Sequence, residues 1–107
     1  MGYRFTVSNA ENGQATWRLH AGNNEMVAWA GETFASFSNA RRAASDFKTG
    51  AKYATYDVYL DAGNEWRWRA VRGGRKVAAS GESFANRANA ERASANVRDN
   101  AGGAKLD

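Results

Sequence analysis

The sequence predicts an α+β domain built from two consecutive copies of one unit, and three observations predict it. Trp17-Arg18-Leu19 recurs as Trp68-Arg69-Ala70, Gly31-Glu32-Thr33-Phe34-Ala35 as Gly81-Glu82-Ser83-Phe84-Ala85, and Asn39-Ala40-Arg41-Arg42-Ala43 as Asn89-Ala90-Glu91-Arg92-Ala93. Within each copy the apolar spacing changes from two residues to about 3.6, the mark of strands followed by a helix. Turn-forming residues fall at matching places in both copies. A repeat of about fifty residues is one supersecondary unit that completes its core against a neighbour.

Each copy opens on a strand. Tyr3, Phe5 and Val7 alternate in the first, and Tyr56, Val58 and Leu60 in the second, the period of a half-buried strand. Turn residues follow at Asn9 to Gly13 and at Asp61 to Asn64. The second strands put Trp17 with Leu19, and Trp68 with Ala70, on one face; Arg18 with His20, and Arg67 with Arg69, take the other. Gly22-Asn23-Asn24 and Gly73-Gly74 tolerate positive φ and read as hairpin turns, the first slightly longer. Third strands run from Met26 to Ala30 and from Lys76 to Ser80. Ala40, Ala43, Ala44 and Phe47 then line one helical face, and Ala90, Ala93 and Val97 repeat the pattern. Ser36 or Ser38 is placed to cap the first helix, and Gly50 to end it in the left-handed conformation. The copies span about residues 3–48 and 56–98 with a linker at 49–55, and the small, polar stretch 100–107 is expected to fray.

A chain of 107 residues holds one compact domain, because a half of roughly fifty is near the lower limit for folding alone. Ile is absent and Ala abundant, so four Trp, four Tyr and five Phe fill most of the core. The net charge is +4, split evenly: residues 1–53 carry six basic and four acidic side chains, residues 54–107 nine and seven. That bias favours anionic partners at low salt without reaching the charge of a dedicated nucleic-acid protein. With no Cys, disulfides, thiolate nucleophiles and thiolate metal sites are excluded. No apolar run is long enough to span a bilayer and Met1 to Phe5 lacks a secretory h-region. The expectation is a cytoplasmic monomer with no membrane contact.

Glu65-Trp66-Arg67-Trp68-Arg69, a short turn, and Val77-Ala78-Ala79-Ser80-Gly81-Glu82-Ser83-Phe84 ahead of an Ala-rich helix resemble the YegP-like family of βββα repeats. The resemblance covers about residues 3–48 and 56–98. It implies that the two units build one antiparallel sheet together, with both helices packed against it, as a pseudo-dimer in one polypeptide. The family is of unknown function, so the resemblance assigns no catalytic residue, cofactor or substrate. The first copy departs from the pattern at Trp29-Ala30, where the second has Ala79-Ser80, and at Ala15-Thr16, where the second has Trp66-Arg67.

Arg18, Arg67, Arg69, Arg72, Arg75 and Lys76 are the candidate anion- or nucleic-acid-binding set. Arginines at alternate strand positions project guanidinium groups from one face, and aromatic neighbours offer stacking surfaces. The competing reading buries both Trp and lets the Arg cover the sheet edge, paired with nearby carboxylates. Arg72-Gly73-Gly74-Arg75-Lys76 lacks the spacing of a phosphate loop and reads as a hairpin turn with solvated flanks. Glu32 and Glu82 hold equivalent positions just after a Gly and shortly before a helix, where a carboxylate favours the helix N-terminus or pairs with Arg; the alternative is that a two-fold axis brings them into one site as an acid–base pair. His20 stands where the second copy has Val71, and the serines have no base beside them in sequence; neither metal binding nor nucleophilic catalysis follows. Trp29 and Phe37, opposite Ala79 and Arg87, are either core residues or a protein contact patch. Taken together these features predict a non-enzymatic protein-interaction or structural module without a cofactor. Weak binding of single-stranded nucleic acid or another polyanion is the alternative.

Overall fold

The computed structural model describes residues 2–106. Its first half runs β1 (Arg4–Asn9), β2 (Ala15–His20), β3 (Met26–Trp29) and α1 (Phe37–Gly50). A 3-10 turn, Ala51–Tyr53, leads into β4 (Thr55–Leu60), β5 (Trp66–Arg72), β6 (Arg75–Ser80) and α2 (Arg87–Asn100). A second 3-10 turn, Ala101–Gly103, precedes β7 (Lys105–Leu106). The α+β class and the order of elements match the sequence reading. All seven strands form one sheet in the order β4-β5-β6-β3-β2-β1-β7.

The sheet is mixed rather than wholly antiparallel. Five of its six strand pairs are antiparallel, but β7 runs parallel to β1 with Arg4 opposite Lys105 and Phe5 opposite Leu106. The stretch expected to fray is therefore tied down across residues 100–106: Asn100 closes α2, and the Lys105 N–H donates to the Tyr3 carbonyl at 2.9 Å. Asp107 lies outside the described residues. The expected 49–55 linker is likewise ordered, because α1 reaches Gly50 and passes directly into the 3-10 turn. Gly50 accordingly sits at φ −101°, right-handed, and does not end the helix as expected. Ser36 caps α1 by accepting from the Asn39 N–H at 3.1 Å, and Asn86 does the same for α2 with Asn89 at 2.8 Å.

Both halves repeat their irregularities as well as their elements. The register slips between Leu19 and His20 in β2–β3 and between Ala70 and Val71 in β5–β6, so each second hairpin carries a bulge that twists its far end. Gly73 and Gly74, at φ 60° and 79°, make the tight β5–β6 turn, whereas β2–β3 closes through a wider loop with Asn24 at φ 74°.

One core runs the length of the sheet beneath both helices. Trp17, Leu19, Ala28, Trp68, Ala70 and Ala78 point into it, and Ala44, Phe47 and Val97 descend from the helices. Trp17 stacks on Phe47 at 5.2 Å and meets Phe5 edge-on at 5.4 Å; Trp68 packs against Tyr56 at 5.7 Å. Tyr56 donates its hydroxyl proton to the Ala51 carbonyl at 2.8 Å, and burial pushes its pKa up to about 12. Because both helices lie on this face, the other face of the sheet has no layer over it.

Candidate functional site

The six cations picked out in the sequence divide between two places. Arg18, Arg67 and Arg69 stand on the uncovered face, since their neighbours Trp17, Leu19, Trp68 and Ala70 are buried on the other. Arg72, Arg75 and Lys76 instead line a cavity of about 220 Å³ on the helix side, with Glu32, Asp46 and an aromatic floor. The structure does not assemble one basic row from all six.

On the uncovered face the pairing places Thr6, Arg18, Trp29, Ala79, Arg69 and Asp57 side by side across β1, β2, β3, β6, β5 and β4. Trp29 is partly exposed in this row, with Arg18 beside it. Arg18 donates to the Ser8 hydroxyl at 2.6 Å. Arg69 lies 4.9 Å over the Tyr59 ring and 3.9 Å from Asp57, while Arg67 donates to Asp61 at 2.7 Å. Asp61 is held below the usual carboxylate range, first by the Glu65 backbone N–H and then by Arg67. Trp66 and Trp68 do not flank these arginines as stacking platforms. Trp68 is buried in the core, and Arg87 of α2 covers Trp66 at 5.3 Å.

His20 is also on this face, with Nε2 3.3 Å from the Thr6 hydroxyl. Its pKa is lowered, chiefly by desolvation and further by Arg4 and Arg18, against a hydrogen bond involving the Asn24 backbone. It stays neutral at physiological pH and has no carboxylate partner among its hydrogen bonds.

Phe37 and Trp29 do not share a patch. Phe37, 53 % exposed at the start of α1, borders a separate groove with Phe5, Val7 and Leu106 on the helix side.

Glu32 and Glu82, which only the alternative acid–base reading would bring together, are apart. Glu32 stands at the rim of the cavity holding Arg72, Arg75 and Lys76. Glu82 lines a second cavity of about 180 Å³ with Glu25, Val27, Phe84, Ala93 and Asn96. Its carboxyl is pushed above the usual range by a hydrogen bond with Glu25, then by desolvation and by the Glu25 charge. A raised folded-state pKa stabilises the fold fully below the ordinary glutamate value, and this contribution is lost as pH rises through the folded value. Glu82→Gln should therefore melt slightly above the parent at neutral pH, solvent screening keeping the gap small, with the gap closing in acid. A melting curve series across that range checks it; an equal gap at every pH would refute the shared proton.

Glu25 and Asp46 were not singled out in the sequence. The signal was present in the alignment of the copies. Fifty positions apart, Arg75 corresponds to Glu25 and Asp46 to Asn96, so matching sequence positions line the two cavities with different charges. Among the described residues, no three His, Asp or Glu side chains gather to hold a metal ion, and no helix is long and apolar enough to cross a membrane.

Residues 10–57 match a family described as a domain of unknown function, DUF1508. No curated protein matches the sequence. Two solution NMR structures share the fold. The protein of unknown function yegP from E. coli superposes with a TM-score of 0.81 at 17 % identity, over 100 % of this chain and 92 % of that one. A UPF0339 protein from Shewanella oneidensis gives 0.80 at 18 % identity, over 99 % of this chain and 92 % of that one. Residues 10–57 are thus similar to DUF1508, and the chain along nearly its whole length shares the fold of these two structures.

Proposed function

We propose that this chain is a non-enzymatic, monomeric protein-interaction module, a tandem βββα pseudo-dimer in one polypeptide, which docks an acidic, apolar-bearing segment of a partner on its uncovered sheet face. The observation that carries this reading is the row in which Trp29 lies between Arg18 and, across Ala79, Arg69. A partly exposed indole flanked by guanidinium groups suits a surface that is negative and apolar at once, and Trp and Arg are the residues that anchor such contacts. The pseudo-dimer reading draws on the shared order of elements, the matching bulges and the equivalent bridges Ala15 to Phe34 and Trp66 to Phe84. Against a nucleic-acid surface stand the carboxylates that already engage Arg67 and Arg69.

The test is a pair of titrations at low and near-physiological salt. One uses a labelled acidic peptide containing Phe and Trp, the other labelled single-stranded RNA and DNA. The peptide should saturate at both salt concentrations and bind at least about tenfold more weakly to Trp29→Ser, the loss of an interface anchor. Peptide binding indifferent to Trp29→Ser would overturn the reading. So would oligonucleotide binding that falls steeply with salt and depends on Arg67 and Arg69.

A further inference from the structure

We infer that the cavity between α1 and the β5–β6 hairpin is a binding site for a small aromatic anion, a ring bearing one carboxylate or phosphate group. It lies on the helix side and does not depend on what docks on the uncovered face. Its floor is apolar: Trp17 and Phe47 are buried, and Phe34 closes one wall. Its rim is cationic. Arg72, Arg75 and Lys76 reach it from the hairpin, and among the described residues none of the three makes an ion pair. Glu32 and Asp46 share the rim without an ion pair to these cations, so three cations there face two carboxylates. Guanidinium forks with free donors facing an aromatic floor recognise a planar anion and a ring together.

Size sets the ligand class. An apolar cavity of about 150 Å³ admits benzene, and this half-open one measures about 220 Å³, room for the ring on the floor with its charged group at the rim.

Gly50 is part of the construction. A Cβ there would overlap the Arg72 guanidinium, so the bare backbone at the end of α1 lets Arg72 lie against it. The second half has Asn100 at this position. There the equivalent cavity keeps Phe84 for Phe34 but has Glu25 for Arg75 and Asn96 for Asp46. Two carboxylates, Glu25 and Glu82, then face each other across a smaller space. One cavity attracts an anion and its counterpart repels it, which gives an internal control in the same molecule.

The experiment is a titration of the full chain with benzoate and with phenyl phosphate, followed by backbone amide chemical shifts and by calorimetry. Both should saturate, with shifts confined to residues 31–34, 46–50 and 72–77. Affinity should fall at least about tenfold in the double variant Arg72→Ala/Arg75→Ala, the loss of one bidentate charged contact or more. These side chains are exposed, so circular dichroism should show the variant folded; Lys76→Gln is a second, milder variant expected to weaken binding in the same direction. Glu25→Gln, in the other cavity, should leave affinity unchanged, and benzylamine should not bind. The inference is overturned if the ligands fail to saturate or if the double variant binds as tightly as the parent. It also fails if inorganic phosphate matches phenyl phosphate, because the ring would then contribute nothing.

Discussion

Trp17→Ala should remove a large share of the domain's stability. The indole is completely buried, stacked on Phe47 and edge-on to Phe5, so truncation removes both aromatic contacts and opens a cavity that backbone relaxation cannot fill. Such losses cost about 3–5 kcal/mol, against a total stability of about 5–15 kcal/mol for a domain of this size. The melting temperature should drop by roughly 15–30 °C. Trp17 also ties β2 to β1 through Phe5 and to α1 through Phe47, and those two rings meet edge-on at 6.4 Å. Urea unfolding of parent and variant measures the loss. A cost below about 2 kcal/mol would mean that the aromatic cluster is not the centre of the core.

Gly81→Ala is the second large effect, and its twin supplies the control. A Cβ on Gly81 would strike the Met26 carbonyl oxygen, with the Met26 and Val27 carbonyl carbons 3.0 and 3.1 Å away. These are backbone atoms in the strand against which β6 pairs, and the Gly81 N–H donates to the Val27 carbonyl at 3.2 Å. Relief therefore requires prising the two halves apart, at about 2–3 kcal/mol. At Gly31 the conflict is of another kind. Its φ is +79°, which a Cβ tolerates poorly, but the nearest atom is the Lys76 Cε at 2.9 Å, the far end of a flexible chain. Gly31→Ala should cost about 1 kcal/mol. If Gly31→Ala proves the more damaging in chemical unfolding, backbone approach at the seam is not what Gly81 serves.

Much of this architecture was legible in the sequence because period and parity are local properties. Trp17 with Leu19, and Trp68 with Ala70, face the core as alternation requires; Ser36 caps α1 as its chemistry requires. Leu60 shows the limit of that argument: it has the parity of Tyr56 and Val58 but is 48 % exposed, since the strand runs out past the helix that covers its start. β7 has only two residues, too few for any period, and exists because β1 offers an edge to pair with. The basic set was misjoined for a reason visible in hindsight. Arg72 stands three residues beyond Arg69, hence on the opposite face, and Arg75 pairs with it across the turn. The bulge between Ala70 and Val71 then turns this end of the hairpin toward α1. The cavity itself was not legible, because it needs Phe34, Phe47 and Arg72, from three distant elements, to be placed before it exists.

Along β3 and β6 the two halves of the sheet are joined by two residue pairs, Ala28 with Ser80 and Trp29 with Ala79, and by the Gly81 N–H bond to Val27, and that short seam shapes how the chain reaches its fold. The hairpins β1–β2, β4–β5 and β5–β6 close over short turns and incur little loop entropy. The seam joins residues about fifty positions apart, and the β1–β7 pair about a hundred, so each forms only after a long loop has been closed. Such a chain accumulates hairpins quickly and then waits. Until the seam zips, two aromatic faces stand open to solvent and to each other's copies, and speed of closure decides between a folded molecule and an aggregated one.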